Sequence, residues 1–384
     1  MQLLLSKLNS KVNPKSNNHE SSKNKTKTKF YVVIGTRAQL VKMAPLMALM
    51  QKECLDYEFI YTAQHRETIN QTLQNFKVKQ PDRTIYLKSE ANTLTKFLGW
   101  GCAMFLKAFN PKKVFPEKGI VLTHGDTVTT AWSAIVAKLA GCKVAYVEAG
   151  LRTHRILHPF PEELMRVITS YFSDFYFCQD KFAMKNLKKF KGEKINIGAN
   201  TVYDSVVHAL NSDAEVEIPN EPYVMVSIHR FQTIYTRKLE NIVIPLLEQV
   251  AQKGFTLLFV LHPSTREVLK RNNMKLYKRL QNNKKIILKE RYPYFEFLKL
   301  LNKSEFVITD GGSNQEEVSY LGIPTLLFKT ETSRIEGMGE NAIMSYFDPE
   351  ITMKFAENYK KYQKPFKSFA ISPCKVIVNY LKNL

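Results

Sequence analysis

The chain has 384 residues, of which 44% are hydrophobic, and it carries a formal net charge of +21. This length suits two domains better than one compact core, and no apolar run approaches the roughly 20 residues that a membrane-spanning helix requires. Residues 1–29 carry +6 of the charge and the remaining residues +15; this excess favours an anionic partner, although solvated surface lysines would explain it equally well. The five scattered cysteines lack metal-ligand spacing, so we expect a cytoplasmic protein with reduced thiols and with neither a metal nor a cofactor.

The predicted elements begin after residues 1–29, a polar, low-complexity segment that we interpret as a disordered basic tail. From Phe30 onwards, short apolar runs alternate with longer segments of helical length. Because the runs are continuously apolar, they indicate strands buried on both faces, which is typical of parallel sheets. Crossover helices are predicted over residues 39–51, 127–139 and 238–252. The predicted strands are FYVVIG, YEFIYTA, GIVLTHG, KVAYVEA, DFYFCQ, INIGA, PYVMVSIH, TLLFVLH, KIILKE, EFVITDGG and PTLLF.

A polar, Pro-punctuated segment at residues 211–222 marks the expected division between two domains. We predict an α/β fold of two doubly wound Rossmann-like domains that face each other across a cleft. The predicted bounds are 30–211 for the N-terminal domain, 212–365 for the C-terminal domain, and 366–384 for a last helix that packs back. Since ligands of such folds bind beyond the carboxyl ends of the strands, the cleft is the expected site.

Polar residues follow several strands of the N-terminal half. Gly35, Thr36 and Arg37 join the first strand to a helix, where backbone N–H groups and a guanidinium can hold a phosphate; an ordinary turn is the alternative. Asp126 follows His-Gly at another strand end, where helix capping is the alternative. Glu148 ends a buried strand, and a second carboxylate, Glu162, follows fourteen residues later. A carboxylate at such a place requires partners or a task.

The C-terminal half repeats this arrangement. His229 and Arg230 end its first strand and His262 ends its second, although a single histidine at a strand end is more often structural. Asp310 leads through two glycines into a helix that bears Gln315, Glu316 and Glu317. Glycines allow a ligand to approach the backbone, and the helix N-terminus favours phosphate, although capping would explain the same composition.

Several ordered motifs resemble those of the non-hydrolysing UDP-N-acetylglucosamine 2-epimerases. GTRAQLVKMAPL is similar to the family's GTRPE-x-x-KMAPL, and TAQHRETINQTL to its GQHRE-x-L-x-Q-x-L. The segments HGDTVTT, VEAGLRT, FPEELMR, IGANTVYD and DGGSNQEE match further family blocks in order. The resemblance extends from about Phe30 to the last helix, and it implies a glycosyltransferase-B-like fold with a UDP-sugar in the cleft and UDP on the C-terminal domain.

The resemblance also implies a reaction, in which UDP leaves C1, the C2 proton is removed, and both return with the proton on the other face. It places acid–base roles on Asp126, Glu148 and Glu162, and His229 near the diphosphate. It allows the hypothesis of an activating second UDP-sugar site at Gln64, Arg66, Arg230 and His262; equilibrium binding to a single independent site would count against that hypothesis. The substrate contacts that it implies are Arg37, Lys42, Arg152, Gly312, Ser313 and Glu317.

The sequence departs from the family pattern at several positions. Ala38 and Gln39 replace Pro-Glu, Phe231 and Gln232 replace Arg-Glu, the serine of DSGG has moved to Ser313, and the TTERPE block survives only as ETSRIE. Lost charges on both sides of the cleft leave a glycosyltransferase of the same fold as the alternative function.

The resemblance suggests several partners and a setting. We expect a homodimer that contributes to capsule or other surface-polysaccharide synthesis. The basic tail would suit peripheral contact with an anionic membrane. Nucleic acid is not an expected partner, because the charge is not concentrated on a recognisable binding element.

Overall fold

The computed structural model describes residues 28–63, 69–86, 94–155, 160–332 and 334–384, with side chains from residue 99 onwards in the third range. The predicted tail therefore lies outside the described residues except at its end, and so do Gln64 and Arg66. No described helix is both long and apolar enough to cross a membrane.

The first half of the chain forms a seven-stranded parallel sheet. Its strands are β1 (Lys29–Ile34), β2 (Tyr57–Tyr61), β3 (Arg83–Thr84), β4 (Gly119–His124), β5 (Lys143–Val147), β6 (Phe175–Cys178) and β7 (Glu193–Asn196). They lie in the order β3-β2-β1-β4-β5-β6-β7. The helices between and after them are α1 (Arg37–Lys52), α2 (Ile69–Phe76), α3 (Leu94–Ala108), α4 (Pro111–Val114), α5 (Val128–Leu139), α6 (Glu162–Phe172), α7 (Lys181–Asn186) and α8 (Val202–Leu210). We call this sheet and its helices the N-terminal domain.

The second half forms a six-stranded parallel sheet, which with its helices is the C-terminal domain. Its strands are β8 (Tyr223–Ser227), β9 (Thr256–Leu261), β10 (Ile286–Glu290), β11 (Val307–Thr309), β12 (Thr325–Leu327) and β13 (Ala342–Met344), in the order β10-β9-β8-β11-β12-β13. The helices are α9 (Phe231–Ile234), α10 (Ile244–Gln252), α11 (Pro263–Asn272), α12 (Met274–Asn282), α13 (Tyr294–Lys303), α14 (Gly312–Leu321), α15 (Pro349–Asn358) and α16 (Pro373–Lys382). A π-helical turn (Leu239–Val243) precedes α10, and a 3₁₀ turn (Tyr359–Tyr362) follows α15.

The predicted fold of two doubly wound parallel sheets is confirmed. Strand β1 shows why the apolar runs were continuous. Its alternate residues Phe30, Val32 and Ile34 enter one hydrophobic core, while Tyr31 and Val33 enter another on the opposite face. A strand covered on both sides has no solvent face to keep polar.

The last helix, α16, returns to the N-terminal domain. The Cys374 N–H donates to Asp204 Oδ2 of α8 at 3.1 Å, and Lys375 and Lys382 both pair with Glu53 after α1. The chain therefore crosses between the two sheets twice. The predicted domain bounds at 211/212 and 365/366 stay predictions.

Gly150, just after β5, is the place where the loop approaches α7 most closely. Its φ is +89°, and a Cβ there would lie 2.2 Å from the Ala183 carbonyl oxygen. We expect Gly150→Ala to lower the free energy of unfolding by about 2 kcal/mol or more, because backbone strain adds to steric overlap. Urea unfolding followed by circular dichroism measures the change.

Gly198→Ala is the matched control. Gly198 has a similar φ of +84°, but no heavy atom lies within 4 Å of a Cβ at this position. Only the backbone contribution of about 1–2 kcal/mol should be lost. Equal losses in the two variants would contradict the close approach at Gly150.

Candidate active site

The turn after β1 is organised by Gln39, one of the two departures from the family's GTRPE. Its Oε1 accepts hydrogen bonds from the N–H groups of Gly35 at 3.0 Å and Thr36 at 3.1 Å. Its Nε2 donates to the His124 carbonyl at 2.7 Å and to Thr130 Oγ1 at 3.0 Å. A glutamate could accept the first two bonds but could not donate to a carbonyl. Gln39 therefore joins the carboxyl ends of β1 and β4, a structural role that needs no charge.

Glu148 lies at the end of β5 with a φ of +63° and is buried. The Lys42 ammonium of α1 donates to its Oε2, and Asn200 Nδ2 donates to the same oxygen at 2.5 Å. Burial opposes ionisation, but the charges of Lys42 and Arg334 outweigh it and hold the pKa of Glu148 well below its usual range. His124 Nε2 lies 3.6 Å away, and burial lowers the pKa of His124 to about 4, so that ring is neutral.

The C-terminal domain contributes a second buried carboxylate, Glu316 of α14. Lys42 Nζ lies 2.9 Å from Glu316 Oε2, and the Arg334 guanidinium donates to Glu316 Oε1. Arg334 Nη2 also lies 3.9 Å from Glu148 Oε1. Burial raises the pKa of Glu316 to about 7 despite the two cations. Lys42, Glu148, Glu316 and Arg334 thus form one buried group, which we call the interdomain ion cluster.

The other two predicted carboxylates are linked through α6. Arg166 Nη2 lies 2.5 Å from Asp126 Oδ2. Glu162 is the first residue of α6, one turn before Arg166, so both side chains lie on the same helical face. Among the described residues, Glu162 Oε2 has no hydrogen-bond partner although that atom is buried. Such an oxygen is available to a ligand.

Glu163, the neighbour of Glu162, is a structural residue that the sequence analysis missed. It is fully buried and accepts from Arg152 Nε at 2.6 Å, from the N–H groups of Thr153 at 3.1 Å and His154 at 3.2 Å, and pairs with Arg166 at 3.4 Å. Arg152, predicted to contact substrate, is thus held by Glu163 in this structure. The sequence shows the two adjacent glutamates. It does not show where the helix begins, so it could not predict which of the two side chains faces inward.

The C-terminal domain presents a histidine loop held by Asp310. The N–H groups of His229 and Arg230 donate to the two oxygens of this fully buried carboxylate at 2.9 and 3.0 Å. The ring centroids of His229 and His262 lie 5.7 Å apart. A Cβ on Gly311 would lie 2.7 Å from His229 Cε1, so the glycine allows the start of α14 to approach the loop.

Basic side chains lie around this loop, and we call the group of Arg37, His229, His262, Arg291 and Lys329 the cationic pocket. Burial is the main cause that lowers their pKa values, and repulsion among most of them adds to it. Burial and Arg291 lower the pKa of Arg37 to about 10. Burial and Arg230 lower that of Lys329 to about 8, although Asp310 and Glu316 oppose the shift. Burial, Arg291 and His229 lower that of His262 to about 4. An anion would relieve the part of these shifts that comes from repulsion between the basic groups.

The remaining predicted contacts lie on α14 beside this cationic pocket. Gly312 and Ser313 occupy its first turn, and Ser313 is exposed. Glu317 is buried, accepts from Asn314 Nδ2 at 3.0 Å, and has a pKa that burial raises to about 7. Arg291 and Lys329 were not predicted, because each lies in a short connection without a recognisable pattern.

The chain is similar to known proteins over most of its length. A family model described as UDP-N-acetylglucosamine 2-epimerase matches residues 47–367. A putative UDP-N-acetylglucosamine 2-epimerase of Clostridium acetobutylicum is 31% identical over 364 residues, which cover 89% of this chain and 90% of the relative.

Two solved structures show a similar fold. UDP-GlcNAc 2-epimerase from Neisseria meningitidis bound to UDP-GlcNAc has a TM-score of 0.78 at 25% identity, covering 93% of this chain and 100% of that one. The enzyme of Methanocaldococcus jannaschii in complex with UDP-GlcNAc and UDP has a TM-score of 0.77 at 25% identity, covering 92% and 99%. With the family model spanning most of both domains, this chain belongs to the UDP-N-acetylglucosamine 2-epimerase family.

Proposed function

We propose that this protein interconverts UDP-N-acetylglucosamine and UDP-N-acetylmannosamine. The observation that carries this proposal is the placement of the cationic pocket, most of it on the C-terminal domain, near the three carboxylates of the N-terminal domain: the buried Glu148 and the part-buried Asp126 and Glu162. A diphosphate suits the first, and proton transfer at a sugar carbon suits the second. UDP-GlcNAc is the ligand named for the structurally similar enzyme of Neisseria meningitidis.

The proposed reaction proceeds by elimination and re-addition. A carboxylate takes the C2 proton, the C–H electron pair forms a C1=C2 double bond, and the C1–O bond breaks with its electrons on the UDP oxygen. UDP then adds back to C1 while a carboxylic acid delivers a proton to the opposite face of C2. Asp126, Glu148 and Glu162 are the groups to which we assign the two proton transfers.

The departing UDP would carry its new negative charge into the cationic pocket. Arg37 and His229 are proposed to face the diphosphate together with the first turn of α14, whose N–H groups point outward from the helix. Glu317 lies further along the same helix, where a carboxylate can accept hydrogen bonds from ribose hydroxyls. This arrangement would orient the nucleotide towards the C-terminal domain and the sugar towards the carboxylates.

Incubation with UDP-N-acetylglucosamine in D₂O, without any acceptor, tests the reaction. We expect deuterium at C2 and the appearance of UDP-N-acetylmannosamine in the NMR spectrum, because the C2 proton exchanges with a group that equilibrates with solvent. Long incubation without exchange, with several UDP-N-acetylhexosamines, would contradict the proposal and favour a glycosyltransferase. Free N-acetylmannosamine with UDP would instead indicate hydrolysis.

The assigned carboxylates are tested by Glu148→Gln and Glu162→Gln. Each should lower kcat by about 10²–10⁴-fold, because an amide cannot accept the proton, while UDP binding measured by calorimetry persists. Glu357→Gln is the control, since Glu357 pairs with Lys253 on the surface, and its kcat should match that of the native chain. Near-native turnover of both site variants would refute the assignment.

We also propose that the protein is a homodimer, with the end of α3 in the interface. Phe105, Leu106 and Phe109 are 64%, 69% and 73% exposed, and the rings of Phe105 and Phe109 lie 5.0 Å apart. A second copy would cover this apolar cluster. Sedimentation should show a dimer for the native chain and a monomer for Phe105→Glu with Phe109→Glu.

Phe182→Glu, at a residue 59% exposed on α7, should leave the dimer intact. A native monomer at tens of micromolar concentration would contradict the proposal, as would a dimer that survives both substitutions on α3.

The setting of the enzyme stays a prediction. A role in surface-polysaccharide synthesis, a cytoplasmic location and contact of the tail with an anionic membrane are proposed from the resemblance and the charge. The division of the chain at 211/212 and 365/366 and the second UDP-sugar site, whose Gln64 and Arg66 lie outside the described residues, are likewise proposals.

A further inference from the structure

The interdomain ion cluster consists of two neutral pairs, one from each domain. Lys42 and Glu148 belong to the N-terminal domain, and Glu316 and Arg334 belong to the C-terminal domain. Two contacts cross between the pairs, from Lys42 Nζ to Glu316 Oε2 at 2.9 Å and from Arg334 Nη2 to Glu148 Oε1 at 3.9 Å. The charge that each carboxylate experiences therefore depends on the other domain.

This arrangement bears directly on Glu148 as a proton acceptor. A carboxylate surrounded by cations is stabilised in its ionised form and is a weak base. Lys42 alone would hold Glu148 in that form. A further negative charge within contact of Lys42 would offset this effect, because it attracts the same ammonium and repels the ionised Glu148.

We propose that Glu316 and Arg334 are positioning residues that set the strength of Glu148 as a proton acceptor across the domain boundary. Glu316 acts through Lys42, and Arg334 acts through its pair with Glu316 and its own contact with Glu148. This inference rests on the proposed role of Glu148. When Glu316 is ionised, the cluster is neutral and Lys42 is shared between two carboxylates. When Glu316 is protonated, the cluster has a net charge of +1. This charge stabilises the ionised form of Glu148 and makes it a weaker base.

The surroundings of Glu316 raise its pKa, so that its carboxyl changes protonation state near neutral pH. Burial raises its pKa to about 7, Arg334 and Lys42 oppose this shift, and Glu148 and Glu336 add to it. Since the carboxyl is protonated below that pH, the active, neutral form of the cluster is lost as the pH falls through about 7. The titratable and charged groups that face Glu316 from both domains are Lys42, Glu148, Glu317, Glu336, Arg334, Lys329, Tyr294 and Tyr320.

The pH dependence of kcat tests the proposal with three chains. For the native chain we expect kcat to fall on the acid side with a midpoint near 7. Glu316→Gln should be slower by about tenfold or more at pH 8, and this acid step should be absent, because the cluster stays positive at every pH. Glu316→Asp keeps the carboxylate and should restore the step.

Arg334→Gln tests the direction in which the acid step moves. Arg334 is the nearest cation to Glu316, so its removal should move the acid step to higher pH, whereas a loss of folding would only lower activity. Glu340→Gln is the matched control, because Glu340 pairs with the partly exposed Lys367 on the same domain. It should leave both the rate and the step unchanged.

A readout independent of turnover separates this inference from the proposed reaction. In protein labelled with ¹³C at glutamate Cδ, NMR should show two carboxyls that titrate near pH 7, those of Glu316 and Glu317. The signal of Glu316 is the one that should be absent in Glu316→Gln and titrate at higher pH in Arg334→Gln. If the native chain showed no C2 exchange in D₂O, the proposed function would fail while this titration could still be observed. An acid step unchanged in Glu316→Gln, or a titration unmoved in Arg334→Gln, would overturn the inference.

Discussion

The buried contact of Lys42 with both Glu148 and Glu316 is the constraint on which the rest of the cleft depends. Burying an ion without a partner is expensive, and breaking a buried pair typically costs about 3–5 kcal/mol. Here each domain carries its own neutral pair, Lys42 with Glu148 and Arg334 with Glu316. Each pair is neutral by itself, and the contacts between the domains add to these pairs rather than replacing them. Asn200 Nδ2 donates to both Glu148 and Glu316, so an uncharged side chain also links the two carboxylates.

The cationic pocket follows a different electrostatic rule. The interdomain ion cluster balances its charges, whereas Arg37, Arg291, Lys329 and the histidine pair repel one another. Burial is the main cause of their lowered pKa values and the cause at Arg291, and repulsion between the basic groups adds to it at Arg37, His262 and Lys329. A diphosphate bound there would relieve that repulsion, which is why we propose that the nucleotide binds beside these residues. The interdomain ion cluster has no net charge, whereas the cationic pocket has an excess of basic groups. This difference would favour one orientation of a nucleotide-sugar, with the diphosphate away from the carboxylates.

The sequence could predict the fold because both sheets use strands buried on two faces, whose continuous apolarity is hard to mistake. The two strands that it did not predict are the edge pieces β3 and β13, of two and three residues, which are too short to show a pattern. Strand ends could also be located, and with them Asp126, Glu148 and His229. Arg291 and Arg334 could not, because they come from loops whose positions depend on tertiary packing. Periodicity likewise could not distinguish Glu163 from Glu162.

The departures from the family pattern now separate into three physical cases. Gln39 replaces a charge at a buried position and uses both ends of its amide, so its contribution is structural. In the shortened ETSRIE block, the surviving Arg334 and Glu336 are the residues that contact the N-terminal domain, at Glu148 and Gln179. Phe231 is 68% exposed, and its ring lies 4.6 Å from that of Tyr235.

Among the described residues, Phe231 and Gln232 replace charged residues of the family pattern on a surface that solvent or a ligand can reach. That surface adjoins Arg230, one of the residues of the hypothetical second UDP-sugar site, and it lies outside the interdomain ion cluster. The substitutions there accordingly bear on what binds beside the cleft, while Glu148 keeps its buried contacts with Lys42 and Asn200.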